Sequence, residues 1–232
     1  MRDTDPLPTG DAKVAAVRQM FDTIAPRYDL VNRMMTFRLD VAWRRRTVRA
    51  LALAPGSTVL DLACGTGDLC RELKTAELEP VGIDSSWGML RNARTDAPLS
   101  QADALRLPVR DASVDGITCG FGLRNVADVG ALLGECARVL RPGGRLALLE
   151  VAQPPNRVLR FGHGIYFGKV VPFVGGLFSD PAAYRYLPRS VAYLPPPDEL
   201  IALVQRHGFE AVERRLLSAG LAQLLVGRRG ER

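Results

Sequence analysis

Three acids, each closing a short apolar run, and two glycines in one turn are the residues of this chain best placed to do chemistry. Thr58-Val59-Leu60-Asp61-Leu62-Ala63 reads as a buried strand, and Cys64-Gly65-Thr66-Gly67 must turn sharply before a helix starts near Asp68. Glycine lets a backbone approach a ligand and adopt positive φ, so strand, Gly-x-Gly and helix in this order make a nucleotide site. Val81-Gly82-Ile83-Asp84 ends 17 residues after Gly67. An acid there accepts hydrogen bonds from both hydroxyls of a ribose. Gln101-Ala102-Asp103-Ala104 closes a third run; Asp103 suits an adenine amino group, and the Ala104 backbone N–H suits the ring. A dinucleotide fingerprint would need a glycine at position 70, where Cys70 stands. Asp61 and Asp68 also flank the place of a pyrophosphate and would repel it. A phosphate-free ligand with a positive centre fits better, and S-adenosylmethionine, with its sulfonium and α-ammonium, is one. One such acid alone is as well read as a helix cap; three at successive strand ends are not.

The elements that must position these residues alternate. Strands are expected at 58–63, 80–84, 98–102, 114–120 and 144–151, with helices at 68–75, 86–94 and 129–140 between them. Such alternation implies right-handed crossovers and a parallel sheet covered on both faces. Arg124 and Asn125, just beyond the fourth strand, fall where open α/β sheets hold ligands. A helix at 198–207 and a hairpin of 209–216 with 220–226 close the chain. The expected fold is α/β, with a seven-stranded, mostly parallel sheet and an antiparallel C-terminal hairpin, and its shape resembles that of the Rossmann-like class I S-adenosylmethionine-dependent methyltransferases. The chain reads as a single domain over 1–232. Its parts are a disordered 1–10, an N-terminal helical leader at 11–55, a cofactor-binding core at 56–152, a substrate lid at 153–197 and the closing helix and hairpin at 198–232.

Composition sets limits. At 232 residues and 47% hydrophobic, the chain can bury a full core. The net charge of +6 is modest, and much of the excess sits in Arg44, Arg45, Arg46 and Arg49, without the aromatic interleaving of a nucleic-acid surface. That cluster reads as a solvated helix face or a contact for anionic headgroups. Cys64, Cys70, Cys119 and Cys136 form no Cys-x-x-Cys pair and no metal-ligand cluster with His163 or His207, which fits core residues in a reducing compartment and no metal. No apolar run reaches the ~18 residues of a membrane span, and the N-terminus lacks the pattern of a signal peptide. The expected location is cytoplasmic, with peripheral contact at the inner face of the membrane. The source of that contact is the aromatic, glycine-rich stretch 158–178, broken by Arg160, His163 and Lys169. It reads either as a packed helix and loop or as a lid over a greasy substrate.

Several motifs together resemble the C-methyltransferases of ubiquinone and menaquinone biosynthesis, from Phe21 to about Gly227. Phe21-Asp22-x-Ile24-Ala25-x-x-Tyr28-Asp29-x-x-Asn32 is similar to that family's leader, continued by Thr36-Phe37 and Trp43-Arg44-Arg45. Gly65-Thr66-Gly67-Asp68, Gly120-Phe121-Gly122-Leu123-Arg124-Asn125-Val126 and Tyr184-Arg185-Tyr186-Leu187-x-x-Ser190 match its later motifs. Three positions depart from it. Gly120 stands where serine is frequent, Asp40 where a histidine is usual, and Gln223-Leu224-Leu225 where an Ala-Leu-His-like end is found.

The resemblance implies methylation of a polyprenyl quinol ring carbon, most directly demethylmenaquinol to menaquinol, or the related benzoquinol step. Thr66, Asp84, Asp103 and Ala104 carry over as cofactor residues, joined by Asp61, Gly65, Gly67 and Gly120. Arg124, Asn125 and Tyr28 are the catalytic candidates. Arg124 stabilises a phenolate rather than acting as a direct base, since a guanidinium has a pKa above ~12. Tyr28 reads either as a ring closing over the methionine end of the cofactor or as packing within the leader. His163, a possible proton acceptor, Tyr166 and Tyr184 are assigned to the substrate. The competing readings are a methyltransferase for a sterol-like or phenolic substrate and a non-catalytic S-adenosylmethionine-binding regulator. Homo-oligomerisation stays open.

Overall fold

The computed structural model describes residues 8–166, 186 and 188–231. Among them seven strands form one sheet: β1 (Thr58–Leu62), β2 (Glu79–Asp84), β3 (Leu99–Gln101), β4 (Val114–Gly120), β5 (Leu140–Val151), β6 (Phe209–Leu217) and β7 (Ala222–Arg229). Their order is β3-β2-β1-β4-β5-β7-β6. The first five are parallel, and β7 runs antiparallel between β5 and β6. The chain runs from β1 outward to β2 and β3 and then returns to the other side of β1 as β4, and this reversal opens the crevice at the carboxyl ends of the strands.

Alternation along β1 explains the two-sided core. Leu60 and Leu62 join Ile117, Leu132 and Leu146 on one face, beneath α6 (Val129–Val139) and α8 (Pro197–Arg206). Val59 faces the other way, with Leu69 and Leu73 of α4 (Asp68–Thr75) and Trp43 of α3 (Leu39–Leu51). The leader is α1 (Gly10–Ile24), a single 3-10 turn through Pro26, α2 (Tyr28–Met35) and α3. Proline is tolerated in that turn because the first helical N–H has no acceptor in any case.

Several boundaries differ from the sequence expectation for local reasons. The helix expected at 86–94 is the short α5 (Trp87–Arg91), because the Ser86 hydroxyl caps its start by accepting from Met89 N at 3.1 Å and the Asn92 amide donates back to Gly88 O at 2.8 Å. β5 begins at Leu140 rather than 144: Leu140 pairs with Val114 and the ladder resumes at Gly116 opposite Arg145. Pro142-Gly143-Gly144 forms the irregularity between, with Gly143 at φ +78°. Part of the stretch expected as a lid is α7 (Arg157–Ile165), whose first turn is capped by Asn156 Oδ1 accepting from Val158 N at 2.9 Å. Residues 1–7 of the expected disordered N-terminus, and 167–185 and 187 of the expected lid, lie outside the described residues.

Candidate active site

The turn after β1 and the ends of β2, β3 and β4 enclose a cavity of about 480 Å³, within the range of small-molecule sites. Gly65 and Gly67 take φ of +56° and +82°, the conformations for which glycine was expected. Gly65 N–H donates to Asp84 Oδ2 and Ser86 N–H to Asp84 Oδ1, each at 2.8 Å. The carboxylate is therefore fixed in orientation, with a lone pair remaining on each oxygen for a diol. Burial pushes the Asp84 carboxyl above its ordinary range, and the two backbone N–H groups oppose that shift. Asp103 accepts from Leu105 N through Oδ1 at 2.9 Å. Ala104, Gly120 and Asn125 complete this wall with Asp84 and Asp103. A side chain at Gly120 would bring its Cβ to 2.8 Å from Leu69 Cδ1, so glycine here matches a close-packed α4. A nucleoside bearing an amino-acid arm fits this donor and acceptor set.

Three expected cofactor residues stand elsewhere. Thr66 and Gly67 shape the turn without lining the cavity; the Thr66 hydroxyl donates to Asp29 Oδ1 of the leader. Asp61 is buried on the far side of β1, accepting from Thr118 Oγ1 at 2.8 Å and Cys70 Sγ at 3.5 Å. Asp68 is neutralised by Arg44 at 3.0 Å, Arg33 at 3.4 Å and Arg71. The electrostatic argument from Asp61 and Asp68 for a cationic ligand therefore fails on physical grounds, since neither acid projects an unpaired charge into the cavity.

Burial, offset by the Thr118 and Cys70 hydrogen bonds, raises Asp61 to about 7. A carboxyl whose folded pKa exceeds its unfolded value of ~3.9 loses stability as pH rises between the two. Asp61→Asn keeps an acceptor for Thr118 and removes the titration. Thermal unfolding at pH 8 should show Asp61→Asn more stable than wild type by about 2–4 kcal/mol, with the gain gone near pH 4. Equal stability at pH 8 would exclude a buried charge at this position.

A second cavity of about 430 Å³ adjoins the first, and Tyr28 and Phe121 line both. Its wall is largely apolar: Met35, Leu39, Trp43, Val151, Val158 and Leu159. Phe121 sits at φ +60°, with its N–H bonded to Leu149 O at 2.7 Å, a conformation that costs a non-glycine residue ~1–3 kcal/mol. Arg124 also lines this cavity. It is held by Glu150 through Nη1, by Ser190 Oγ at 3.0 Å through Nε, and by Phe121 O at 2.9 Å through Nη1. Its backbone N–H donates to the other Glu150 oxygen at 3.1 Å. Nη2 has no hydrogen-bond partner among the described residues. Asn125 belongs to the first cavity, its amide donating to Phe121 O at 3.2 Å and its carbonyl accepting from Tyr186 Oη at 3.3 Å. Burial pushes the Tyr28 phenol up, opposed by a hydrogen bond with Asn32 and the charges of Arg124 and Arg44.

Tyr166 lines the second cavity and donates to Met35 O at 2.6 Å. His163 is described by its backbone alone, within α7, and Tyr184 lies outside the described residues. Arg44 corrects the sequence view of a solvated arginine cluster. Arg45, Arg46 and Arg49 are exposed, whereas Arg44 is 7% exposed and lines the cavity, bonded to Asp40 at 2.5 Å.

Sequence reasoning assigned no individual role to two leader acids. Asp22 Oδ1 accepts from Ser86 Oγ at 2.6 Å and Gly88 N at 2.7 Å, and Asp29 accepts from Thr66. Together they clasp the leader over the first cavity, where Val14, Val17 and Phe21 line the roof. The available signal was the aromatic–acid pair repeated after seven residues, Phe21-Asp22 and Tyr28-Asp29.

The sheet order, the glycine turn and the paired cavities define a class I methyltransferase. Similar solved folds include an S-adenosylmethionine-dependent methyltransferase of Thermotoga maritima (TM-score 0.64, 19% identity, 91% of this chain and 99% of that one). Another is a chain of the complex between the Haloferax volcanii Trm112 methyltransferase activator and a methyltransferase (TM-score 0.68, 18% identity, 90% and 97%). The chain belongs to the ubiE/COQ5 methyltransferase family, whose model matches residues 9–229. Similar relatives are the demethylmenaquinone methyltransferases of Thermus thermophilus (47% identity, 90% of this chain, 100% of the relative) and Roseiflexus castenholzii (44%, 97% and 98%). The protein is thus an S-adenosylmethionine-dependent methyltransferase. Among the described residues no helix is long and apolar enough to cross a membrane.

Proposed function

We propose that this enzyme methylates a ring carbon of a reduced polyprenyl naphthoquinone, the demethylmenaquinol implied by its relatives' names. The observation that carries the reading is the apolar second cavity, joined to the cofactor cavity at Tyr28 and Phe121 and carrying the Arg124 guanidinium in its wall. Asp84 holds the ribose and Asp103 with Ala104 the adenine, while Gly65 lets the amino-acid arm approach the turn. Bound there, the cofactor supplies an electrophilic methyl group.

A ring carbon attacks that methyl only when a neighbouring hydroxyl gives up its proton and sends charge into the ring. Arg124 faces that oxygen with Nη2, while Glu150 and Ser190 fix the guanidinium. The apolar wall excludes water and aligns the ring, an effect that can lower a barrier by ~7–11 kcal/mol in favourable cases.

The test is transfer of labelled methyl from S-adenosylmethionine to a short-prenyl demethylmenaquinol under anaerobic conditions. Product from the reduced ring and none from the quinone supports the reading. Faster transfer to the benzoquinol analogue would reassign the substrate.

The prenyl tail reaches the cavity from the bilayer. Phe37 and Val158 at its wall are 75% and 78% exposed, and neighbouring Phe161 is 73% exposed, an arrangement suited to a membrane-facing rim. Phe37→Ser with Phe161→Ser should weaken co-sedimentation with anionic vesicles at least ~10-fold, given ~1.5–3 kcal/mol per buried aromatic side chain. Turnover of a water-soluble short-chain quinol should change less than ~2-fold, since an outer rim adds binding and not chemistry. Undiminished vesicle binding would remove this rim from the account.

A further inference from the structure

Asp40 is the one acidic side chain that lines the apolar cavity among the described residues. It is 1% exposed, far more buried than a carboxylate that merely decorates a helix. The other polar groups of that wall are poor proton acceptors. Arg44 and Arg124 are permanent cations. The Tyr28 phenol is held neutral by burial, and the Tyr166 phenol donates to Met35 O. Asn32, Thr36 and Ser218 carry only amide or hydroxyl groups.

We propose that Asp40 is the catalytic residue that accepts the hydroxyl proton of the quinol, an inference that rests on the quinol reading above. Its carboxylate is pre-set for this. Thr36 Oγ1 donates to Oδ1 at 2.7 Å, and Arg44 Nη1 donates to Oδ2 at 2.5 Å. Arg44 is divided between two acids, its Nη2 lying 3.0 Å from Asp68 Oδ2. A pair serving only to pin α3 against α4 needs Arg44 and Asp68, and no acid in the cavity wall.

The step balances as follows. The quinol O–H bond breaks, its proton passes to Asp40 and its electron pair stays on the ring oxygen. The ring carbon then forms a bond to the methyl group as the carbon–sulfur pair remains on sulfur. Loss of the ring C–H proton to water restores aromaticity, and Asp40 returns its proton to the ring oxygen. One proton is released per turnover. Free aspartate and phenol differ by ~6 in pKa, so Asp40 does not strip the quinol outright. The Arg124 and Arg44 charges stabilise the forming quinolate, and proton transfer accompanies carbon attack.

The charged and titratable groups around Asp40 are Arg44 on its own helix, Asp68 and Arg71 from α4, and Arg33 and Tyr28 from α2. Arg124 after β4, backed by Glu150 of β5, and Tyr166 beyond α7 complete the set. Asp68 and Glu150 are each bonded to arginine.

The test begins with wild-type turnover on the quinol, whose absence would overturn the substrate reading and this one together, before any variant is made. With turnover in hand, Asp40→Asn should lower kcat on the order of 10²–10³-fold while leaving cofactor affinity near wild type. The melting temperature falls because buried Arg44 loses one of its two carboxylate partners, so the rate is compared at a temperature where both proteins are folded. A ring-halogenated quinol, whose hydroxyl is more acidic, should recover at least ~10-fold of the lost rate, as an external loss of basicity predicts. Asp40→His, which keeps a proton acceptor, should retain activity within ~10-fold of wild type. Binding of an electron-poor phenol with S-adenosylhomocysteine gives a readout apart from turnover: phenolate absorbance should appear with wild type and weaken in Asp40→Asn. Turnover of Asp40→Asn within ~3-fold of wild type, no recovery with the acidic quinol, or undiminished phenolate absorbance in Asp40→Asn would each overturn the proposal.

Discussion

Arg124→Ala should lower kcat on the order of 10³-fold, about 4 kcal/mol of transition-state stabilisation, while cofactor binding by calorimetry stays within ~3-fold of wild type. The asymmetry follows from where the side chain lies. Arg124 lines the apolar cavity and not the wall holding Asp84 and Asp103. Its effect therefore falls on the charge that develops on the ring. The same substitution carries a second cost: Glu150 is 1% exposed and loses its ion-pair partner, which is worth about 3–5 kcal/mol when one member of a buried pair is removed. The two effects separate in a double variant. Adding Glu150→Gln should restore much of the melting temperature and none of the rate. Recovery of both would mean that Arg124 acts through the fold alone. Arg124→Lys should remain slow, because an ammonium cannot hold Glu150 and Ser190 while presenting a free N–H to the cavity.

Asp84→Ala should raise the cofactor's dissociation constant about 10²–10⁴-fold, the loss of two hydrogen bonds to a charged acceptor at ~1.5–3 kcal/mol each. The Gly65 and Ser86 N–H groups lose their acceptor as well, so the glycine turn loosens and contributes to the loss. At saturating cofactor kcat should return to within ~10-fold of wild type, the reverse of the Arg124 pattern. Titration with S-adenosylhomocysteine measures the first quantity and saturating kinetics the second. A dissociation constant within ~3-fold of wild type would mean that the ribose lies elsewhere in the cavity.

The strand–turn–helix at 58–68 and the acids at 84 and 103 were legible because period-2 apolar runs announce parallel strands, and their carboxyl ends are the only place such a sheet holds a ligand. The turn glycines followed from the positive φ their positions require. What could not be read was which side of an element a charged residue takes when its partner is far along the chain. Arg44 looked like one of four surface arginines, yet Asp40 and Asp68 draw it inward. Asp68, taken as a free acid beside the ligand, is a hub for three arginines, two of them from the leader. Asp61 occupies the face of β1 opposite Leu60 and Leu62, so strand alternation alone could have removed it from the ligand set. The second cavity joins α2, α3, the turn after β4, α7 and the β6–β7 turn, and no local pattern announces a meeting of segments so far apart.

The central claim is that the methyl group goes to a ring carbon of a reduced naphthoquinol. Anaerobic incubation with methyl-¹³C S-adenosylmethionine and a short-prenyl demethylmenaquinol, followed by carbon NMR of the isolated product, tests it most directly. The expected product carries label as an aryl C-methyl group, forms from the quinol and does not form from the quinone. Label found as an O-methyl ether, or transferred equally well to the oxidised ring, would contradict a nucleophilic ring carbon and the role given to Arg124.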